Sequence, residues 1–165
     1  MLIREATPAD WPAIWLFMKE IIAAGETYAW DRDLSEDEAR AIWFQWDGRP
    51  VGHTLVAADP GRAVLGTAEF GPNYRGPASH IANAAFMVAP AAAGRGVGRA
   101  LAEHVLELAS TEGYRGMQFN AVVETNTPAV KLWCSLGFRI LATVPEGFRH
   151  PAHGYVGYHI MYRRL

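Results

Sequence analysis

The segment from Val88 to Arg99, VAPAAAGRGVGR, constrains the fold more than any other part of this chain. Glycines stand at positions 94, 96 and 98, where the lack of a side chain lets the backbone curl closely around an anion. An apolar stripe then follows at helical spacing, formed by Val97, Leu101, Val105 and Leu108. The segment therefore reads as a strand end, a glycine turn and a helix start. This order predicts a phosphate-binding turn, because the free N–H groups of the turn and of the first helical turn point at one place.

The glycine pattern does not fit the two commonest nucleotide sites. Arg99 stands where G-x-G-x-x-G needs its third glycine, and Gln118 and Asn120 occupy the region where an acidic residue would end a strand. A P-loop needs Gly-Lys-Ser/Thr, which does not follow here. Taken alone, the pattern also allows a tight connection with no ligand.

A second motif lies downstream, where residues 124–138 read ETNTPAVKLWCSLGF. Asn126 or Thr127 can cap a helix there, and Gly137 can end that helix in the left-handed conformation. With the two motifs in this order and spacing, the chain resembles the Gcn5-related N-acetyltransferase (GNAT) superfamily over about residues 1–165.

The resemblance implies an α/β fold in one domain, residues 1–165, with about seven strands in a mixed sheet and helices on both faces. It implies acetyl-CoA as co-substrate, with the first motif around the pyrophosphate and the second motif's helix beside the pantetheine arm. Backbone N–H groups would polarise the thioester carbonyl where the fourth strand splays from the fifth, an effect worth about 3–4 kcal/mol per donor. The implied cofactor-binding residues are Phe86, Met87, Val88, Gly94, Arg95, Gly96, Val97, Gly98, Arg99, Asn126, Ala129 and Trp133.

Two positions depart from the common pattern of that superfamily. Ala93 stands where many members have Arg or Gln, so Arg95, Arg99 and the backbone would do more of the pyrophosphate binding. Trp133 stands where many members have the Tyr that protonates the leaving thiolate, and an indole N–H donates without titrating usefully. The strand 81–88 also offers no carboxylate as a base, so catalysis must use other groups.

Asn83 and Asn120 each interrupt an apolar strand, where an unsatisfied amide is costly. Both can serve packing by bonding to neighbouring backbone. Residues 71–86 (GPNYRGPASHIANAAF), 118–120 (QFN) and 25–30 (GETYAW) also resemble the branch containing L-azetidine-2-carboxylate N-acetyltransferases, which act on proline-like imino acids. That closer resemblance implies that Asn83 and Asn120 are catalytic without titrating.

Two loops supply candidates for binding the acceptor: Tyr28, Trp30, Tyr74 and Arg75. Arg75 could meet an amino-acid carboxylate with two parallel hydrogen bonds. A neutral amide is a poor base for an amine of pKa about 10, so we expect a water chain or binding of the free amine, with a rate that rises with pH. Glu26 and Glu69 are candidates for a remote base, although we expect solvated structural roles for both.

Composition narrows the class of protein. Half of the 165 residues are apolar, 19% are charged and the net charge is −2, which argues against nucleic-acid binding and disorder. The single cysteine, Cys134, excludes an internal disulfide, and we expect a buried, inert thiol. His150 and His153 lack a third clustered ligand, so no metal site is predicted.

Without a readable signal peptide or membrane span, the expected compartment is the cytoplasm. Dimers are common in the superfamily, so a homodimer is allowed.

The residue patterns also predict the order of elements. One face of a strand is expected to carry Met117, Phe119 and Ala121. The segment 144–154 is expected to be rich in turns that cap the acceptor site or a subunit interface. Strands are predicted at Leu2–Glu5, Val51–Ala58, Ala63–Phe70, Ile81–Val88, Met117–Val123, Phe138–Val144 and Tyr155–Arg163. Helices are predicted to end near Gly25, to run from Ser35 to about Gln45, and to follow the glycine turn and Asn126.

The main hypothesis is an N-acetyltransferase that acts on a small amine or imino acid, with no nucleic-acid or membrane partner. One alternative keeps the activity and changes the acceptor to an amino-acid-like antimetabolite, an aminoglycoside or a protein N-terminus. Aminoglycosides and basic peptides favour an acidic pocket, and the candidate loops show no dense acidic cluster. Another alternative is a CoA-binding sensor that has lost catalysis.

Overall fold

One mixed sheet organises residues 1–44 and 52–165, which are the residues that the computed structural model describes. Its strand order is β1-β2-β3-β4-β5-β7-β6, and every neighbouring pair is antiparallel except β4 and β5. The strands are β1 (Leu2–Glu5), β2 (His53–Ala58), β3 (Val64–Pro72), β4 (Ile81–Val88), β5 (Gly116–Val123), β6 (Arg139–His150) and β7 (Gly154–Arg164). The α-helices are α1 (Trp11–Ala24), α2 (Glu36–Phe44), α3 (Val97–Thr111) and α4 (Thr127–Ser135). Gln45 and Val51, two predicted element ends, lie outside the described residues.

The helix boundaries follow the local signals in the sequence. Ser35 and Glu38 form a capping box at the start of α2, in which the Glu38 carboxylate accepts from the Ser35 N–H at 3.0 Å. Asn126 caps α4 by accepting from the Ala129 N–H at 3.3 Å. Gly25 and Gly137 follow α1 and α4 with φ of +67° and +86°. These predicted signals are confirmed.

Helices cover both faces of the sheet, as predicted, and each face has its own apolar core. Residues of α3 and α4, including Leu101 and Trp133, pack with Phe70 and other strand residues on one face. Residues of α1 and α2 pack with Val56 and Met87 on the opposite face. No helix within residues 1–44 and 52–165 is long and apolar enough to cross a membrane.

Two predictions about the strands are wrong. Ala121 is exposed and leaves the face of Phe119, because a bulge between Phe119 and Val122 adds one residue to β5 against β7. The segment 144–154 is mainly strand, since β6 runs to His150 and resumes pairing with β7 at Phe148 after a bulge. The turn signals of that segment mark the bulge and the hairpin tip.

Cys134 is exposed, so the expectation of a buried thiol is wrong. Consecutive residues of a helix lie about 100° apart around its axis, and the preceding residue, Trp133, faces the core. The apolar residues next to Cys134 in the sequence pack into the core themselves, and Cys134 does not.

A buried carboxylate joins the first strand to the first helix. Asp10, 9% exposed, accepts from the Arg4 guanidinium at 2.7 and 2.8 Å and from the Thr7 N–H and hydroxyl at 2.8 and 2.9 Å. The Arg4 hydrogen bonds, followed by those from Thr7, hold the pKa of the Asp10 carboxyl well below its ordinary value of 3.8. A carboxyl whose pKa is lowered by folding stabilises the fold above its unfolded pKa, and this contribution is lost as the pH falls below about 4.

Replacing Asp10 with Asn should lower the free energy of unfolding at pH 7 by about 2–3 kcal/mol, because it weakens charge-assisted hydrogen bonds at a buried site. Urea unfolding at pH 7 and at pH 3 measures this, and the loss of stability on acidification should be smaller in D10N. Asp33→Asn, at an exposed position, is the matched control. A D10N variant with wild-type stability at both pH values would contradict the assignment.

Candidate active site

Strands β4 and β5 pair over only two registers, Ile81 with Gly116 and Ala82 with Met117, and then part. The bulge of β5 lies on the parted stretch, at Asn120 and Ala121. Because buried backbone groups need hydrogen-bond partners, the parted half of β4 must find them outside the sheet. The splay implied by the resemblance is therefore present in this fold.

The ladder between β3 and β4 decides which backbone groups face this opening. Ile81, the first residue of β4, and Ala89, the residue that follows its last, both hydrogen bond toward β3. Bonding directions alternate along a strand, so Met87 also bonds toward β3, whereas Phe86 and Val88 direct their N–H and C=O groups to the β5 side. Of the three residues proposed near the thioester, two thus present N–H groups at the opening.

Tyr28 binds the parted half of β4 from the loop after α1. Its hydroxyl donates to the Phe86 carbonyl at 2.6 Å, and its ring lies 4.9 Å from that of Trp30. Burial raises the pKa of the Tyr28 phenol, and the charge of Glu69 raises it further. The phenol therefore stays protonated at neutral pH and remains a donor.

The glycine turn is open on its outer side. Gly94 and Gly96 have φ of +73° and +79°, and a Cβ added at either position would meet no atom within 4 Å. Val97 begins α3 immediately afterwards, so the first N–H groups of that helix, those of Val97, Gly98 and Arg99, have no acceptor within the helix. Gly98 differs from these two glycines of the turn, because a Cβ added to it would lie 3.6 Å from side-chain atoms of both Val88 and Leu132.

The two arginines of the first motif have different surroundings. Arg95 is exposed, and its N–H bonds within the turn to the Ala92 carbonyl at 3.3 Å. Arg99 joins α3 to α4, since its guanidinium donates to the Ser135 hydroxyl at 2.7 Å. The second motif's helix is thereby attached to the first motif.

Trp133 lies in an aromatic cluster beneath the opening. It is 7% exposed, and its ring lies 4.9 Å from that of Phe86 and 4.7 Å from that of Phe119. The cluster therefore spans β4, β5 and α4, the three elements around the splay. Ala129, the partner of the Asn126 cap, packs against the same core.

Four side-chain amides lie on the sheet face opposite Trp133. Asn83 alternates with the α3-side residues of β4, and its Oδ1 accepts from the Ala84 N–H at 2.9 Å. Asn120 is exposed and forms a reciprocal pair with Asn73, with Nδ2 to Oδ1 at 2.7 Å and the returning bond at 3.3 Å. Gln118 donates to Asn120 Oδ1 at 2.9 Å. Asn83 and Asn120 thus share one face of the sheet.

Sequence reasoning missed Asn73 and Gln118 as contributors to the site. Asn73 follows β3 in the segment GPNYRG, and it is only 7% exposed. A polar residue between Pro72 and Tyr74 is typical of a turn, so nothing in the chain pattern distinguished it. Its contact with Asn120 joins residues 47 positions apart.

The other proposed acceptor residues divide by exposure. Tyr74 and Arg75 follow β3 and are exposed, whereas Trp30 packs on Trp43 with their rings 6.1 Å apart. Glu26 is exposed, as expected. Glu69 is partly buried on β3 and acts electrostatically on Tyr28, so the expectation of a solvated role for Glu69 is wrong.

The paired histidines at the hairpin tip bond locally. The rings of His150 and His153 lie 4.5 Å apart, and His150 Nδ1 accepts from the Ala152 N–H at 3.1 Å. Within the described ranges, no group of three or more His, Cys, Asp or Glu side chains could hold a metal ion.

Comparisons with known proteins identify related acetyltransferases and a similar solved structure. N-acetyltransferase aca1 of Schizosaccharomyces pombe is 31% identical over 156 residues, which cover 87% of this chain and 75% of the relative. The L-methionine sulfoximine/L-methionine sulfone acetyltransferase of Pseudomonas aeruginosa is 30% identical over 150 residues, covering 87% of this chain and 83% of the relative. A GCN5-related N-acetyltransferase from Kribbella flavida has a solved structure that matches with a TM-score of 0.95 and 57% identity, covering 99% of this chain and 97% of that one.

The model of the Acetyltransferase (GNAT) family matches residues 15–138. That range contains the glycine turn, the parted strands and the helix of the second motif. The chain therefore belongs to the Acetyltransferase (GNAT) family and is an N-acetyltransferase.

Proposed function

We propose that this enzyme transfers the acetyl group of acetyl-CoA to the amino group of a small amino-acid-like acceptor, by direct attack in a ternary complex. The observation that carries the proposal is the parting of β4 from β5, with side-chain amides on the face that α1 and α2 cover elsewhere. One side of the opening suits the thioester, and the amide-bearing face suits the acceptor.

The turn after β4 fits the pyrophosphate of acetyl-CoA. Gly94 and Gly96 leave open space where side chains would stand, and the N–H groups at the start of α3 favour an anion. Arg95 and Arg99 supply positive charge, and Asn126 and Ala129 belong to the helix expected beside the pantetheine arm. Acetyl-CoA would supply an activated acetyl thioester.

Backbone groups of β4 provide for the charge that develops on the acetyl oxygen. The N–H groups of Phe86 and Val88 face the opening, whereas that of Met87 belongs to the ladder with β3. Donors fixed in this way stabilise an oxyanion without reorganising. Tyr28 holds the peptide group that joins Phe86 to Met87, because its hydroxyl donates to the Phe86 carbonyl at 2.6 Å.

The amide face is suited to an acceptor that carries oxygen atoms. An asparagine oxygen accepts about two hydrogen bonds, and Asn120 Oδ1 already accepts from Asn73 and Gln118. Asn120 therefore offers only its remaining N–H, whereas Asn83, whose oxygen accepts the one bond from Ala84, offers Nδ2 as a donor and keeps one acceptor position. Donors directed to one side complement a carboxylate, sulfone or sulfoximine oxygen.

Two classes of acceptor agree with this polarity. The relative from Pseudomonas aeruginosa is named for methionine sulfoximine and sulfone, and both compounds carry a carboxylate and a polar sulfur group. The closer sequence resemblance favours a proline-like imino acid such as azetidine-2-carboxylate, which carries the carboxylate alone. In both cases Arg75, exposed after β3, is our candidate for a carboxylate partner, and Trp30 and Tyr74 are candidates for the wall.

Substituting Gly96 with Ala should raise the KM for acetyl-CoA about tenfold, because a side chain is strained at φ +79° and occupies the anion site. Gly113→Ala is the matched control, since Gly113 has φ +86° and equally open space at the far end of α3. Steady-state kinetics with varied acetyl-CoA measures the difference. An equal KM in both variants would place the pyrophosphate elsewhere.

Thiol release from acetyl-CoA should occur with L-methionine sulfone, L-methionine sulfoximine or azetidine-2-carboxylate and fall to background with kanamycin. Asn83→Ala and Asn120→Ala should each lower kcat/KM for the acceptor about 100-fold, the scale of losing one directed donor, while calorimetry still detects acetyl-CoA binding. Binding without turnover on every acceptor would favour the CoA-binding sensor.

Glu69→Gln should lower kcat about 100-fold if Glu69 receives the amine proton through water, and the loss should be greatest at low pH, where little free amine exists. Glu26→Gln, at an exposed carboxylate, should leave the profile unchanged. Rates measured from pH 6 to 10 test this. If both variants follow the wild-type curve, the enzyme binds the free amine instead.

A further inference from the structure

We infer that Asn73 is a positioning residue for the acceptor, because it fixes the orientation of the Asn120 amide. The inference rests on the proposed function in one respect, namely that Asn120 meets the acceptor. It assigns a role to a residue that lies outside both motifs and directly follows β3, the strand on the opposite side of β4 from β5.

The contact between Asn73 and Asn120 is reciprocal. Asn120 Nδ2 donates to Asn73 Oδ1 at 2.7 Å, and Asn73 Nδ2 donates to Asn120 Oδ1 at 3.3 Å. If one of the two amides rotated by 180° about its Cβ–Cγ bond, its oxygen would face the partner's oxygen and its nitrogen would face the partner's nitrogen. The pair therefore admits one relative orientation. The orientation of Asn120 is therefore tied to that of Asn73.

Asn73 is itself held firmly. Its side chain is buried, and its backbone N–H donates to the Ile81 carbonyl at 2.8 Å, which continues the β3–β4 ladder by one residue. Asn120, in contrast, is exposed on the bulge of β5, where no neighbouring strand restrains it on the β4 side. The buried Asn73 amide thus fixes the orientation of the exposed Asn120 amide.

Gln118 adds a second restraint on the same oxygen. Its Nε2 donates to Asn120 Oδ1 at 2.9 Å from two residues earlier on β5. With both acceptor positions of that oxygen filled, the amide can present only an N–H to a ligand. Asn73 contributes two of the three bonds in this network, so its loss frees Asn120 more than the loss of Gln118.

The test is a double-mutant cycle between Asn73→Ala and Asn120→Ala, with L-methionine sulfone as acceptor. If Asn73 acts through Asn120, N73A should lower kcat/KM for the acceptor at least tenfold in the wild-type background and have no further effect in N120A. The KM for acetyl-CoA should not change. Gln118→Ala should give a smaller loss, and Ser79→Ala, an exposed control in the same loop, should give none.

A second measurement works without turnover. The side-chain amide resonances of Asn120, assigned by their absence in N120A, should shift in N73A and in the isosteric variant N73D, and should stay unchanged in S79A. If the wild type acetylates no acceptor while these resonances shift, the proposed function fails and the positioning of Asn120 stands. Unchanged resonances in both Asn73 variants, or equal losses of kcat/KM in both backgrounds of the cycle, would overturn the inference.

Discussion

The parting of two parallel strands is the constraint on which the rest of this structure depends. Two registers of pairing hold β4 and β5 together, and beyond them the polar groups of β4 on the β5 side must find partners outside the sheet. Tyr28 serves the Phe86 carbonyl from one face, and the N–H groups of Phe86 and Val88 are left for a ligand. A gap that would be costly in an ordinary core is the place where we propose that the thioester binds.

Separate packing on the two faces keeps this gap open. Trp133, Phe86 and Phe119 fill the α3–α4 side, so the strands cannot close there without displacing large rings. On the other side, the α1–α2 core contacts β2 to β4 through Val56 and Met87. The amide-bearing surface of β5 lies beside that core. Polar side chains therefore lie on one face of strands whose other face is apolar.

In the proposed site, neutral amides stand where titrating groups are common, and what each amide offers a ligand depends on its orientation. An amide has a donor end and an acceptor end of similar shape, so only its hydrogen-bond partners fix which end meets the ligand. In this enzyme the partners fill both acceptor positions of the Asn120 oxygen and one of the two on the Asn83 oxygen. The Asn120 amide is thereby left to donate without carrying a positive charge, and the negative charge of Glu69 acts on Tyr28.

The sequence by itself determined most of the elements and the position of the glycine turn. Capping residues, helix-ending glycines and alternating strands act within a few residues of each other, so Ser35, Asn126 and Gly137 could be interpreted without tertiary contacts. The resemblance then supplied the sheet and the acetyl donor. Alternation failed at Ala121 and the turn signals misled in residues 144–154, because a bulge depends on the partner strand as much as on its own residues.

Only the tertiary structure decided how the amide-bearing face beside the parted strands is built. Asn73 and Asn120 are 47 positions apart, and no local pattern encodes a hydrogen bond between them. The partial burial of Glu69, the exposure of Cys134 and the bond from Tyr28 to β4 likewise depend on what packs alongside each residue. Short-range signals determine where elements begin and end, whereas long-range packing determines which side chains meet and with what polarity, because those contacts exist only once the sheet has assembled.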